Sequence, residues 1–177
     1  MRRRLALLVP AVLLSVATLV APEAAAQSNV RIGGFLGSAF DNDEDWLIFG
    51  AEARLRSGLM QFDVQPRFHY QSFTGGSIMQ LDGNLLFNLT SSLSQIQPYM
   101  GFGAAFNRLS IDDGEDDSNI GINLVSGLIF GTNPKWRPYV NYEYTIINDL
   151  GNPATIAIGI LFQISGTRFN SRAPVGR

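Results

Sequence analysis

Polar and apolar residues alternate between Leu59 and Gln71, and this alternation constrains the fold more than any other feature of the chain. One set of alternate positions is apolar, and the other is polar or charged. The apolar set is Met60, Phe62, Val64, Pro66, Phe68 and Tyr70, and the polar set is Gln61, Asp63, Gln65, Arg67, His69 and Gln71. Because successive side chains of a β-strand point to opposite faces, the pattern predicts a strand with one apolar face.

Seven further segments alternate in the same way, and turns that contain glycine or asparagine separate them. They are Asn29–Phe40, Trp46–Leu55, Ile78–Leu89, Ile96–Ser110, Asn119–Gly131, Arg137–Ile147 and Ala154–Ile164. A tilted strand needs about 9–11 residues to cross a bilayer, and most of these segments are long enough. Eight is an even number, as in bacterial outer-membrane barrels. The sequence therefore predicts an all-β fold, an eight-stranded antiparallel up-and-down transmembrane β-barrel.

A soluble barrel of the lipocalin type also alternates, with its apolar face turned inward. Three observations favour a membrane barrel instead. The strands carry very few lysines and glutamates, although a water-facing surface should carry many. Small residues crowd the polar phase, as suits a narrow interior: Gly101, Gly103, Ala105, Gly121 and Gly127. Aromatic residues lie near strand ends, as in interfacial girdles: Phe40, Trp46, Tyr70 and Phe106 at one end, and Phe87, Phe130 and Trp136 at the other.

The first 26 residues have the layout of a secretory signal peptide. Three arginines follow Met1, an apolar run extends from Leu5 to Val20, and three alanines end at Ala26. The alternative is an N-terminal membrane anchor, but the apolar run is short and ends in a cleavage site. We expect cleavage between Ala26 and Gln27 and export of the remainder.

Together, these features resemble the small outer-membrane barrels of the OmpA/OmpX type. Gly159, Phe162 and Ile164 in the last strand resemble the glycine-then-aromatic signal read by the barrel assembly machinery in that family. The resemblance implies an outer-membrane location, contact with outer-membrane lipid and lipopolysaccharide, and a monomer. The chain departs from the family by running on to Arg177. We expect a signal peptide at residues 1–26, a barrel at 27–169 and a short periplasmic tail at 170–177.

Charged residues sort by position in the predicted barrel. The chain has 15 acidic residues, of which Glu23 lies in the predicted signal peptide. Ten lie at the predicted outer connections: Asp41, Asp43, Glu44, Asp45, Asp112, Asp113, Glu115, Asp116, Asp117 and Asp149. The other four fall on polar strand positions. Basic residues gather at the periplasmic end, namely Arg56, Lys135, Arg137, Arg168, Arg172 and Arg177. Arg108 alone takes the apolar phase, from which its head group is expected to reach lipid phosphate.

Charges inside so narrow a lumen must pair, because a lone buried charge is costly. The predicted interior network comprises Glu52, Arg54, Asp63, Arg67, Asp82 and Glu143. We expect Arg67 to lie opposite or diagonal to Asp82. The network is interpreted as a structural plug or, alternatively, as a gated ion path. The small strand number favours the plug.

Candidate catalytic chemistry centres on His69, the single histidine, with Ser72 nearby and Glu52 on a neighbouring strand. The outer-membrane lipid A deacylase family uses a His/Ser/Glu triad in which histidine and serine are two residues apart. Here they are three apart and project to opposite faces of a regular strand. No catalytic residue is therefore predicted. With no cysteine, a net charge of −2 and no basic cluster beyond the predicted signal peptide, the sequence predicts neither a thiolate metal site nor nucleic-acid binding.

One predicted outer loop is strongly acidic. Its carboxylates, Asp112, Asp113, Glu115, Asp116 and Asp117, suit weak binding of Ca²⁺ or Mg²⁺. They lack EF-hand spacing, so a solvated loop is the favoured interpretation, and no cofactor or metal is predicted. The favoured function is a non-enzymatic structural or surface-interaction role. The alternatives are a lipid A-modifying hydrolase and a narrow ion or small-solute pore.

Overall fold

Eight strands form one closed barrel. The computed structural model describes residues 29–41, 44–56, 62–90, 94–111, 116–133, 135–147 and 152–164. The strands are β1 Asn29–Asp41, β2 Glu44–Arg56, β3 Phe62–Phe73, β4 Gly76–Asn88, β5 Ile96–Ile111, β6 Asp117–Phe130, β7 Trp136–Ile147 and β8 Ala154–Ile164. Each strand is antiparallel to the next, and β1 also pairs with β8. The prediction of an eight-stranded antiparallel barrel is confirmed. None of the described residues forms a helix long and apolar enough to cross a membrane.

Several strands extend further toward the loops than the sequence predicted. β4 begins at Gly76 rather than Ile78, so Thr74 and Gly75 alone connect it to β3. Gly75 has φ +90°, a left-handed conformation that glycine adopts without steric cost. At its other end β3 begins at Phe62, and residues 57–61, where its predicted start falls, lie outside the described part. The predicted signal peptide at 1–26 and tail at 170–177 also lie outside it.

The two phases of each strand separate as predicted. Along β3, Arg67 and His69 are 3% and 2% exposed, whereas Phe68 between them is 37% exposed. On the outer face, Leu81 and Ile158 are 50% and 63% exposed. The outer wall is therefore apolar, and the polar side chains lie inside the barrel.

The core occupies the barrel interior and combines apolar with polar groups. Its apolar part includes Phe35, Ile48, Leu86, Tyr99, Ile129, Tyr139 and Leu161. We call the end of the barrel that holds Asn29 and Ile164 the terminal end, and the end that holds the β1–β2 connection the loop end. These two ends differ in charge, as the interior contacts show.

The predicted aromatic girdles need one correction. Phe40 and Trp136 are exposed on the outer face at opposite ends, as expected. Trp46, however, belongs to the inward phase of β2, together with Ile48 and buried Glu52. Its ring lies 6.1 Å from that of Phe73 and packs on the interior cluster. The girdle assignment of Trp46 was wrong because its position in the alternation, not its distance from the strand end, decides its face.

Candidate functional site

The six side chains of the predicted interior network all point into the barrel. Each is at most 6% exposed, and the set is Glu52, Arg54, Asp63, Arg67, Asp82 and Glu143. They lie on four strands, β2, β3, β4 and β7, at positions that the period-two pattern turns inward. Since isolated charges are costly to bury, their partners determine what the interior can do.

Arg54 is held in place in the half nearer the terminal end. Its Nε donates to Oε1 of Glu52 at 2.8 Å, and its Nη2 donates to the hydroxyl of Tyr99 at 3.1 Å. The rings of Tyr99 and Tyr139 flank the guanidinium at 4.4 and 5.0 Å. Oε2 of Glu52 accepts a bond from Gln65 at 2.9 Å. The arginine is therefore fixed by one ion pair and two aromatic faces.

Two glycines make room for these tyrosine rings. A Cβ on Gly127 would meet the hydroxyl of Tyr99 and the backbone oxygen of Val140. A Cβ on Gly159 would lie 2.5 Å from the ring of Tyr139. The small residues on the inward phase thus let bulky side chains lie across the lumen.

Arg67 crosses the lumen to Glu143. Its Nη1 donates to Oε2 of Glu143 at 2.8 Å, and its guanidinium carbon lies 4.2 Å from the centre of the Phe35 ring. The bond joins β3 to β7, which face each other across the ring of eight strands. Gln80 donates to the other oxygen of Glu143 at 3.3 Å. This layer ties opposite walls of the barrel together.

Arg67 lies opposite Asp82, as expected, but its ion pair is with another residue. The two residues are register partners on β3 and β4, but the ion pair of Arg67 is with Glu143. Asp82 instead accepts hydrogen bonds from Gln80 at 2.6 Å and Asn123 at 3.0 Å. A long side chain in so narrow a barrel reaches the far wall as readily as the next strand.

His69, Asp82 and Glu143 form the one group among the described residues with the spacing of metal ligands. Their candidate ligand atoms lie within 4.8 Å of one another, and Nδ1 of His69 is 3.9 Å from Oδ2 of Asp82. Arg67 already supplies the counter-charge of Glu143. A divalent cation would lie beside this permanently charged guanidinium, which opposes its binding. The arrangement suits a polar network better than a metal centre.

The candidate triad residues are not brought together. Ser72 is exposed on the outer face of β3, whereas His69 is 2% exposed inside the barrel. The ring of His69 lies edge-on to Phe35, with 6.5 Å between their centres. A lipid substrate outside the barrel would therefore meet the serine without the histidine.

Positive charge dominates the terminal end of the interior. Nε and Nη2 of Arg56 bind both oxygens of Asp63, at 2.6 and 3.0 Å. Arg31, Arg54, Arg56 and Asp63 line a pocket there. Arg137, which is 3% exposed, donates to the side chain of Gln97 at 2.8 Å.

At the loop end, Arg108 contacts a carboxylate of its own chain. Its Nη2 donates to Oδ2 of Asp116 at 2.8 Å, and Oγ of Ser110 donates to Oδ1 at 2.8 Å. The bonds from Arg108 and Ser110 hold the pKa of Asp116 below its usual value. Asp117 accepts from the backbone of Ser118 at 2.8 Å. The other candidate cation ligands, Asp112, Asp113 and Glu115, lie outside the described part.

Sequence reasoning missed the uncharged members of the network. Tyr99 donates to Oδ1 of Asn141 at 2.8 Å, and Asn123 bonds to both Asp82 and Asn84. Tyr99 shares its phase with the small residues of β5, which is the signal that could have placed it inside. Selecting charged residues alone overlooked these polar and aromatic members.

Solved structures show the same architecture. Neisserial surface protein A superposes with a TM-score of 0.61 at 14% identity, covering 77% of this chain and 97% of that one. The N-terminal β-barrel domain of Pseudomonas aeruginosa OprF gives the same four values. Ail, the attachment invasion locus protein of Yersinia pestis, gives a TM-score of 0.53 at 16% identity, with coverage of 77% and 97%.

Sequence comparison identifies the family. Residues 11–163 match the family described as outer membrane protein beta-barrel domain. Among curated proteins, none matches the sequence. The family match spans most of the chain and agrees with the closed eight-stranded architecture. This chain therefore belongs to the outer membrane protein beta-barrel domain family.

Proposed function

We propose that this protein is a non-enzymatic outer-membrane barrel with a structural or surface-interaction role, whose interior is closed by a polar plug. The observation that carries the proposal is the buried ion pair between Arg67 and Glu143, which joins opposite walls at 2.8 Å. A conducting path along the axis would have to pass through this contact. The pair therefore supports a plug over a pore.

A second set of bonds crosses the lumen nearer the terminal end. Arg54 on β2 donates to Tyr99 on β5, and Tyr99 donates in turn to Asn141 on β7. These contacts link three strands of which no two are neighbours. Two successive crossings support a lumen filled by side chains, as expected for eight strands.

The position of His69 argues against the alternative of a lipid A hydrolase. A general base must lie within hydrogen-bond reach of its nucleophile. His69 is buried among interior groups, and Ser72 lies on the other face of the strand. Neisserial surface protein A and Ail are named for a surface location and for attachment, and the shared fold is compatible with such roles.

The route to the membrane is part of the proposal. Residues 1–26 act as a cleaved signal peptide, and the barrel assembly machinery inserts the barrel as a monomer. The terminal end faces the periplasm, and the loop end faces lipopolysaccharide. The exposed apolar wall supports the contact with lipid. N-terminal sequencing of the protein from outer membranes should begin at Gln27.

A complementation experiment tests the proposed role. A strain that lacks the protein should become sensitive to detergent, and the wild-type gene should restore resistance. A variant with residues 112–115 replaced by glycine and serine separates the two roles. Restoration by this variant indicates a structural role of the barrel, and failure indicates an interaction made by the loop.

Mass spectrometry of lipid A from the same strains tests the enzymatic alternative. We expect identical lipid A with and without the protein. A mass change that requires the wild type and is abolished in His69→Gln would contradict the proposal. Unchanged heat-modifiable migration of His69→Gln on gels serves as the folding control.

A further inference from the structure

The pocket at the terminal end contains an unusual pairing of like charges. Arg31 on β1 and Arg54 on β2 are direct register partners, and both line the pocket together with Arg56 and Asp63. Like charges directly opposite each other on neighbouring strands are destabilising. A negatively charged group beside the two arginines would offset this repulsion.

The carboxylates near the pocket already accept hydrogen bonds from other side chains. Both oxygens of Asp63 accept bonds from Arg56, and both oxygens of Glu52 accept bonds from Arg54 and Gln65. Arg31 forms no hydrogen bond or ion pair with any residue that the structure describes. Nη1 of Arg54 is buried and likewise has no hydrogen-bond partner there. Two arginines of one pocket thus retain unused donors.

The surrounding charge is predominantly positive. Arg31 experiences repulsion from Arg56, from Arg137 and, more weakly, from Arg54, and attraction from Asp63. Three arginines line this pocket, Arg31, Arg54 and Arg56, and the nearby carboxylates are Asp63 and Glu52. The guanidinium of Arg31 is therefore left without a carboxylate of its own among the described side chains around the pocket.

We propose that this pocket binds a phosphate group. A guanidinium presents paired N–H donors that match phosphate oxygens, and Arg54 is already oriented by Glu52 and Tyr99. Arg31 and Arg56 are only partly buried at the barrel mouth, so they can close on an anion that enters there. The phosphate is either free in the periplasm or carried by a phospholipid head group of the adjoining leaflet.

The full-length mature protein, folded in a detergent without phosphate, provides the test. Sodium phosphate is titrated against sodium chloride at equal ionic strength, and binding is followed by calorimetry and by thermal unfolding. We expect phosphate to raise the unfolding temperature and chloride to have no comparable effect. Arg31→Gln should weaken phosphate binding at least tenfold. Arg108→Gln, which removes a charge at the opposite end, should bind phosphate as the wild type does.

The stability of Arg31→Gln without phosphate provides an independent result. Because this substitution removes one side of a repulsive pair, the variant should unfold at a higher temperature than the wild type in chloride. In phosphate, this difference in unfolding temperature between the variant and the wild type should become smaller or change sign. Absence of phosphate-specific stabilisation in the wild type, or equal loss of binding in Arg31→Gln and Arg108→Gln, overturns the proposal.

A competition arm distinguishes the two sources of phosphate. Phosphatidylglycerol is added to the micelles before inorganic phosphate is titrated. Loss of the phosphate signal assigns the pocket to a lipid head group, and an unchanged signal assigns it to the free anion. Both results support a phosphate site at Arg31.

Discussion

The ion pair between Arg67 and Glu143 yields the sharpest prediction about stability. Glu143→Gln removes the negative charge with little change of shape, and Arg67→Met removes the positive charge but retains an unbranched chain. Each single substitution leaves the other residue buried without its counter-charge. The double substitution removes both charges, so it should cost less than the two single costs combined.

The expected magnitude follows from burial. The side chains of Arg67 and Glu143 are 1% and 0% exposed. Removing one partner of such a pair costs about 3–5 kcal/mol of unfolding free energy. Asp82 lies opposite Arg67 in the register, so its carboxylate can partly replace Glu143 as the counter-charge of Arg67. We therefore expect about 3 kcal/mol for Glu143→Gln and a coupling energy of about 2 kcal/mol.

Urea unfolding from lipid vesicles, followed by tryptophan fluorescence, measures all four proteins of the cycle. The pair of Arg108 and Asp116 is a matched control, because its contact is also 2.8 Å long but its side chains are 54% and 44% exposed. Its coupling should be a small fraction of the interior value. Additive costs at Arg67 and Glu143, or equal coupling at the two sites, would mean that the buried pair does not couple the two residues.

Three further predictions follow from the wall, the lumen and the loop end. Ile158→Arg, mid-strand on the outer face, should cost about 2–4 kcal/mol in vesicle unfolding, whereas Ile164→Arg at the end of the same strand should cost about 0–1 kcal/mol; equal costs would contradict the membrane placement. Gly127→Ala should lower the unfolding free energy by about 1–3 kcal/mol, because its methyl group meets the backbone of β7 and a tyrosine hydroxyl; an unchanged urea midpoint would count against this packing. An NMR titration should give Asp116 a pKa below the usual aspartate value, and Ser110→Ala should raise it. Because the folded pKa is lowered, the stabilising contact persists above the ordinary pKa and disappears as the pH falls through the lowered one; a pKa unaffected by Ser110→Ala would disprove the contact.

Much of the architecture could be predicted because a period-two pattern specifies which face each residue occupies. The inward positions of Asp63, Arg67 and Asp82 follow directly from alternation along two adjacent strands. The same alternation places Trp46 on the inward face of β2, but Trp46 was assigned to the girdle because it lies near a strand end. The odd or even position along the strand predicts the face better than the distance from its end.

Partner choice inside the barrel could not be predicted in the same way. Arg67 and Glu143 are 76 residues apart in sequence, and only closure of the ring places β3 opposite β7. The alternation along each strand indicates that Arg67 and Glu143 both point inward, but it does not indicate how far each side chain reaches. The pocket between Arg31 and Arg54 was missed for a related reason, since a like-charge pair becomes visible only once the register is known.

Single-channel recording in planar bilayers shows whether side chains close the lumen. Heat-modifiable migration on gels first establishes that the inserted protein is folded. We expect no conductance steps from the wild type, because the side chains of Arg67 and Glu143 meet across the interior in an ion pair of 2.8 Å. Reproducible conductance steps from folded wild-type protein would mean that the lumen is open.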